Sequence, residues 1–207
     1  MLVQDIMTKG AVAIGPDLPI GDVFALMAQK NIRHFPILAD DLLTGIVSDR
    51  DVRSVGAAYP GAPAGVTLQD PVERIMVAPV ITAHPLDPVE EAAKTLHDFK
   101  IGALPVLQGD ALVGIVTSID FLEAFTKMAG VSAATSRLEV EVDDRPGALA
   151  DLLTRIAARK VNVSSVMTTH QEPGTLTFAL RVGTIDTRAL ANTLSEAGFS
   201  VLWPGEK

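Results

Sequence analysis

Two stretches of this sequence carry the residue types needed to hold a phosphorylated sugar. Gly45-Ile46-Val47-Ser48-Asp49-Arg50-Asp51 returns 69 residues later as Gly114-Ile115-Val116-Thr117-Ser118-Ile119-Asp120. Each copy reads as the end of a buried strand, a hydroxyl residue at the turn, and an Asp in the first turn of a helix. A helix N-terminus offers unpaired N–H groups and a partial positive charge, which attract an anion. The Ser48 or Thr117 hydroxyl can cap that helix or donate to a phosphate oxygen. Asp51 or Asp120 can accept from ribose hydroxyls, the role an acidic residue plays in dinucleotide folds. The same residues also make an ordinary N-cap; their duplication at one spacing is what favours the ligand reading.

The repeat extends well beyond its signature. Residues 3–51 slide onto 72–120 without a gap, with 14 identities in 49 positions. Among them are Val3/Val72, Ile6/Ile75, Met7/Met76, Pro16/Pro85, Pro19/Pro88, Ile32/Ile101 and Pro36/Pro105. Equal spacing of Pro and Gly means equal placement of turns, so the two units share one fold. Short strands are expected at Val12–Ile14 and Val80–Thr82, each stopped by a proline. Helical spacing of apolar residues follows over Ile20–Lys30 and Val89–Phe99. Strands entered through proline come next, at Phe35–Leu38 and Leu104–Leu107. Turns at Asp40-Asp41 and Gly109-Asp110 lead to strands Leu42–Val47 and Ala111–Val116. The order is β-α-β-β-α, and units of about 55 residues have cores thin enough that two should pack together. Tyr59–Gly65 reads as a loop between them.

Composition narrows the function classes. The 207 residues carry a net charge of −8, a balance that repels the phosphates of nucleic acid and anionic membrane surfaces. Cysteine is absent, which excludes disulfides and thiolate chemistry. No leader pattern and no apolar run of transmembrane length are read, so a cytoplasmic location is expected, with no nucleic-acid or membrane partner.

Both units resemble cystathionine-β-synthase (CBS) domains, and the tandem resembles a Bateman module. The resemblance rests on the paired Gly-Ile-Val-Ser/Thr-x-x-Asp motifs, the hydrophobic-Pro-hydrophobic strands and the Met7/Met76 lead-ins. It implies adenosine-containing ligands (AMP, ADP or ATP, or S-adenosylmethionine) in two clefts, with no cofactor or metal. By that resemblance Ser48 and Asp51 serve one cleft, Thr117 and Asp120 the other, with Ile14, Pro36, Ala83 and Pro105 as further nucleotide-lining candidates. The clefts are not equivalent in sequence. Arg33 and His34 stand before the first proline strand, where the second repeat has Gly102 and Ala103. A phosphorylated ligand is therefore expected in the first cleft, and a less charged adenosyl ligand, or none, in the second.

After Thr126 the pattern changes. Ala129–Ser136 is rich in small residues and suits a linker. Leu138, Val140 and Val142 alternate with acidic residues as in a half-buried strand, and Pro146 suits the first position of a helix. Strands at Val161–Met167 and Leu176–Val182, a helix over Thr187–Ala197 ended by Gly198, and a strand at Phe199–Trp203 complete β-α-β-β-α-β, the ferredoxin-like order. This tail resembles an ACT domain, carried by Asp143-Asp144-Arg145-Pro146-Gly147-Ala148-Leu149 and Lys160-Val161-Asn162-Val163. The resemblance implies an amino-acid site across a dimer interface, with Asp144, Arg145, Gly147 and Asn162 as candidates, or a module that serves only for pairing. The whole order resembles bacterial acetoin-utilisation accessory proteins.

The expected architecture is thus α/β (α+β): CBS domains at 1–58 and 71–128, linkers at 59–70 and 129–136, and a ferredoxin-like ACT domain at 137–207. No reacting group is apparent. The four histidines have no metal-binding partner at helical spacing, and no Walker A, Gly-x-Gly-x-x-Gly or Gly-x-Ser-x-Gly sequence occurs. A regulatory homodimer is expected, with an assembly module without ligand as the alternative and a nucleotide-processing enzyme as the less favoured one.

Overall fold

A computed structural model describes residues 1–55, 64–131 and 134–205. Residues 59–63 of the expected loop, and 132–133 of the expected linker, lie outside the described residues. The chain divides into two compact units, Met1–Phe121 and Leu122–Lys207.

In the first unit the order is α1 (Val3–Ile6), β1 (Thr8–Lys9), α2 (Ile20–Lys30), β2 (His34–Ala39), β3 (Leu42–Ser48) and α3 (Asp49–Ser54). It repeats as a 3-10 turn (Val72–Arg74), α4 (Val89–Phe99), β4 (Ala103–Gln108), β5 (Ala111–Thr117) and α5 (Ser118–Met128). Both long helices end alike. Asn31 and Lys100 take left-handed φ angles of 53° and 55°. The next N–H, from Ile32 or Ile101, then turns back to the Met27 or Leu96 carbonyl at 3.0 and 3.1 Å. The shared Ile32/Ile101 is a capping feature of the fold.

The lead-in of each repeat pairs with the sheet of the other. Thr8 and Lys9 pair antiparallel with Ile115 and Gly114, while Val77 bridges Ile46. Backbone bonds repeat the exchange: Val3 N–H to Asp87 O mirrors Val72 N–H to Leu18 O, both about 69 residues apart in each partner. The core formed by Ile20, Val23 and Met27 of α2 with Phe35, Ile37 and Val47 accordingly includes Val72, and Ile75 and Met76 pack against it. Residues 1–9 therefore dock on the second repeat although they precede the first.

The exchange explains the glycine of each motif. A Cβ on Gly45 would lie 2.3 Å from Met76 Sδ; one on Gly114 would lie 2.7 Å from the Thr8 carbonyl oxygen and 2.9 Å from Met7 Sδ. The glycines admit the other repeat's methionine.

Two expected strands do not form. Ile14 makes a single parallel bridge to Ile37, and in the second repeat the bridging residue is Ala83, to Val106, just beyond Val80–Thr82. Pro16 and Pro85, two residues on, lack the N–H that would continue a ladder.

The second unit is β6 (Ser136–Asp143), α6 (Ala148–Ala158), β7 (Val163–Glu172), β8 (Thr175–Val182), α7 (Thr187–Glu196) and β9 (Ser200–Trp203), with strand order β7-β8-β6-β9. This is the ferredoxin-like arrangement. Its core packs Leu138 and Val140 of β6 and Leu180 of β8 against Leu152 and Ile156 of α6 and Leu190 and Leu194 of α7. Helix α6 begins later than Pro146 predicts, because Gly147 at φ 89° is its N-cap and Pro146 lies outside it. Gly198, likewise left-handed at φ 91°, follows α7 as expected.

Candidate functional site

At the start of α3 the Ser48 hydroxyl donates to Asp51 Oδ2 at 2.6 Å, and the Ser48 N–H donates to the same oxygen at 2.8 Å. Thr117 and Asp120 repeat this, with both donors 2.7 Å from Asp120 Oδ2. Yet Thr67 and Asp70 form the same pair of bonds, at 2.7 and 2.8 Å, away from any cleft described below. Asp70, with a third bond from Arg74, is held down at a pKa of about 2, its backbone and hydroxyl bonds from Thr67 being the main causes. The hydroxyl-x-x-Asp spacing by itself is thus a capping device. What sets two of the copies apart is where they stand.

Ser48 and Asp51 line a cleft of about 360 Å³, and Thr117 lines another of about 460 Å³. Both fall in the range of small-ligand sites. Each cleft is walled by both repeats. Val77, Pro79–Ile81 and Lys100–Ala103 face Ser48; Thr8, Gly10–Val12 and Asn31–His34 face Thr117. The exchanged lead-ins build these walls, which sequence reasoning missed; the signal was the Met7/Met76 identity ahead of each repeat.

The cations differ between the clefts. The Ser48 cleft has Arg33, Arg50 and Lys100 beside Asp49 and Asp51. In the Thr117 cleft the described lining offers Arg33 and His34 and no carboxylate. Arg33 and His34 line both, so they do not by themselves make the first cleft the more cationic. Asp49 pairs with Arg53 at 3.6 Å, whereas Arg33, Arg50 and Lys100 make no ion pair among the described residues. Helix α3 has only six residues, so charge on a ligand there would be met by these side chains more than by a helix dipole. The Asp51 and Asp120 carboxylates both spend Oδ2 on the cap; Asp51 lines the Ser48 cleft, whereas Asp120, expected in the other, is not among the residues that line it.

His34 is half-buried with its ring against Gly102. Burial lowers its pKa below the usual 6.5, partly opposed by the Asp49 and Asp51 carboxylates, and Arg33 adds to the lowering. It is neutral at pH 7.

Four expected nucleotide contacts are elsewhere. Ile14 and Ala83 are buried and spend their backbone groups on the sheet: Ile14 N–H reaches Pro36 O at 3.0 Å, and Ala83 N–H reaches Pro105 O at 2.9 Å. Pro36 and Pro105 are buried with them, and none of the four lines either cleft.

In the second unit a cavity of about 690 Å³ is lined by Arg145, Asp143, Asp151 and Arg155 among others, but not by Asp144, Gly147 or Asn162. Arg145 bonds Asp151 at 2.8 Å. Asp144 follows the end of β6 paired with Thr175, whereas Asn162 precedes the end of β7 paired with Val182. The eight residues of β8 separate them by roughly 23 Å at a strand's rise. One chain does not bring the expected amino-acid contacts together.

Among the described residues no cluster of three or more His, Cys, Asp or Glu could hold a metal ion, and no helix is long and apolar enough to cross a membrane.

The family model for the CBS domain matches residues 3–57 and 72–127, a little over half of the chain, and that for the ACT domain matches 136–199. The CBS domain pair of protein MJ0100, solved in complex with 5'-methylthioadenosine and S-adenosyl-L-methionine, is similar at 29% identity and TM-score 0.55, over 61% of this chain and 97% of that one. A protein assigned to acetoin utilization, AcuB, from Vibrio cholerae is similar at 30% identity and TM-score 0.54, over 63% of this chain and 94% of that one. The CBS domain-containing protein YhcV of Bacillus subtilis is 28% identical over 65% of this chain and 91% of its own length. A homoserine O-acetyltransferase of Methanohalobium evestigatum is 33% identical over 57% of this chain, but the match spans only 23% of that enzyme.

Proposed function

The chain belongs to the CBS-domain family and carries an ACT domain, and from that premise we propose that it is a regulatory sensor of an adenosyl ligand. The observation that carries this reading is a pair of nucleotide-sized clefts, each joining a capped hydroxyl residue of one repeat to cations at the junction of both. The adenosyl ligands of the MJ0100 pair support the ligand class. Asp51 Oδ1 would accept from ribose in the Ser48 cleft, while Arg33, Lys100 and Arg50 would meet phosphate. Because each cleft has walls from both repeats, a ligand bridges them and can favour one arrangement of the pair over another. The reading is of binding and signalling, without catalysis.

The ACT domain in this account promotes self-association. Its sheet has β7 and β9 at its edges, with Val166, Met167, Leu202 and Trp203 exposed on them. An amino-acid site using Asp144, Gly147 and Asn162 would draw on two chains, given their separation within one. A homodimer also gives cover to exposed Leu122, Phe125 and Met128 of α5. A cytoplasmic location and a place in acetoin use complete the proposal, supported by the likeness to AcuB.

Thermal unfolding with AMP, ADP, ATP and S-adenosylmethionine, each near millimolar, is the test. A ligand at 100 times its dissociation constant stabilises by about 2.7 kcal/mol. A rise in Tm with at least one of the four is expected; no rise with any of them would favour an assembly module without ligand.

A further inference from the structure

The two clefts share one guanidinium. Positions 33 and 102 are equivalent in the repeat, and their backbones do the same work: Arg33 O accepts from Asp49 N–H at 2.9 Å, and Gly102 O accepts from Ser118 N–H at 3.1 Å. Only one of them carries a side chain. A Cβ on residue 102 would stand 2.9 Å from His34 Nε2 and 3.0 Å from Cε1, so the imidazole fills the space a second side chain would need. The repeat symmetry is broken there, and Arg33 borders both clefts. For the Thr117 cleft it is the sole guanidinium or ammonium among the described lining residues, whereas the Ser48 cleft keeps Arg50 and Lys100 as well.

We infer that the clefts compete for Arg33, so that the pair takes one phosphorylated adenosyl ligand tightly, in the Ser48 cleft, and one adenosyl ligand without phosphate in the Thr117 cleft. A single guanidinium makes its bidentate bonds to one phosphate at a time. Once Arg33 is committed to the Ser48 cleft, a second phosphate meets a cleft without a free cation, and it is repelled by the first. A ligand without phosphate makes no call on Arg33 and binds regardless. The device reads a phosphorylated and an unphosphorylated adenosyl compound separately, one in each cleft, and it rests on the sensor reading above.

Calorimetric titration of the full chain with AMP and with 5'-methylthioadenosine separates the two ideas. Wild type should bind a first AMP tightly and a second with intrinsic affinity lower by about 5–150-fold, the usual span of coupling between sites. Protein saturated at the first AMP site should still take one equivalent of 5'-methylthioadenosine. In Arg33→Gln the gap between the two AMP steps should shrink, because the first weakens and the second does not, while the unfolding midpoint without ligand stays near that of wild type and so reports an intact fold. Two AMP sites of equal intrinsic affinity, or a gap unchanged by Arg33→Gln, would overturn the inference even with adenosyl binding intact. Failure of both probes to bind wild type would overturn the sensor reading, and the inference with it.

Discussion

The exchange of lead-ins between the repeats makes an asymmetric prediction at two equivalent glycines. Neither Gly45 nor Gly114 has a positive φ, so replacing either by Ala adds no backbone strain, only a methyl group. At Gly114 that methyl would be 2.7 Å from the Thr8 carbonyl oxygen. Ordinary C···O contacts are ~3.3 Å or longer, so β1 must retreat by roughly 0.6 Å. The retreat stretches the pairing of Thr8 and Lys9 with β5 and the bond from Gly10 N–H to Val113 O, already 3.2 Å. At Gly45 the obstacle is the Met76 side chain, with Sδ at 2.3 Å and Cγ at 2.8 Å, and a thioether can swing aside. Overpacking costs about 1–3 kcal/mol; Gly114→Ala should fall near the top of that range and Gly45→Ala near the bottom. Urea unfolding of the first unit reads the difference. With an m-value of about 2 kcal/mol/M, Gly114→Ala lowers the midpoint by about 1.5 M and Gly45→Ala by about a third of that. A double-mutant cycle sharpens the test. Pairing Gly45→Ala with Met76→Ala should recover most of the glycine's cost, whereas pairing Gly114→Ala with Met7→Ala should recover little, because the Thr8 carbonyl remains. Equal midpoints for the two glycine variants, or equal recovery in the two cycles, would refute the reasoning.

Two further outcomes follow from the geometry. Asp51→Ala removes the acceptor of both Ser48 bonds and should lower stability by about 1 kcal/mol as a cap loss, so ligand effects of this variant must be read against its own unfolding midpoint. Asp51→Asn, which keeps an acceptor oxygen for the cap, separates the two effects: near wild-type midpoint with weaker adenosyl binding is expected, and unchanged binding would contradict the ribose role. His34 should make stability depend on pH. Burial lowers its folded pKa, so the unfolded chain takes up the proton first. The contribution is fully present above the ordinary value of about 6.5 and is lost as pH falls through that value towards the folded one. Unfolding midpoints measured from pH 7.5 to 5.5 should fall less steeply in His34→Gln, and an identical slope would show that the imidazole is not the group responsible.

Much of this was legible in the sequence because it is local. Apolar spacing placed α2 and α4 at their observed limits, and the alternation from Leu138 to Val142 placed β6. The ferredoxin-like order followed from the same signals. What was not legible depends on partners distant along the chain. Val12–Ile14 has the composition of a strand, but its neighbours in space allow it one bridge. Thr8 and Lys9 do not look like a strand, yet β5 of the other repeat makes them one. Arg33 reads as a residue of the first cleft, because nothing in the sequence says that residue 102 is Gly to seat His34. Ile14, Pro36, Ala83 and Pro105 recur at the repeat spacing or near it because they build the sheet, and recurrence alone does not distinguish a floor from a wall.

The central claim is that an adenosyl ligand binds between the repeats, and hydrogen–deuterium exchange locates it. With AMP or S-adenosylmethionine added to the full chain, slowed exchange is predicted in residues 8–12 and 31–34, 46–51, 77–81, 100–103 and 115–119, the segments that wall the two clefts. Unchanged exchange in all of them, or protection confined to the ACT cavity around 141–155 and 197–200, would contradict the account.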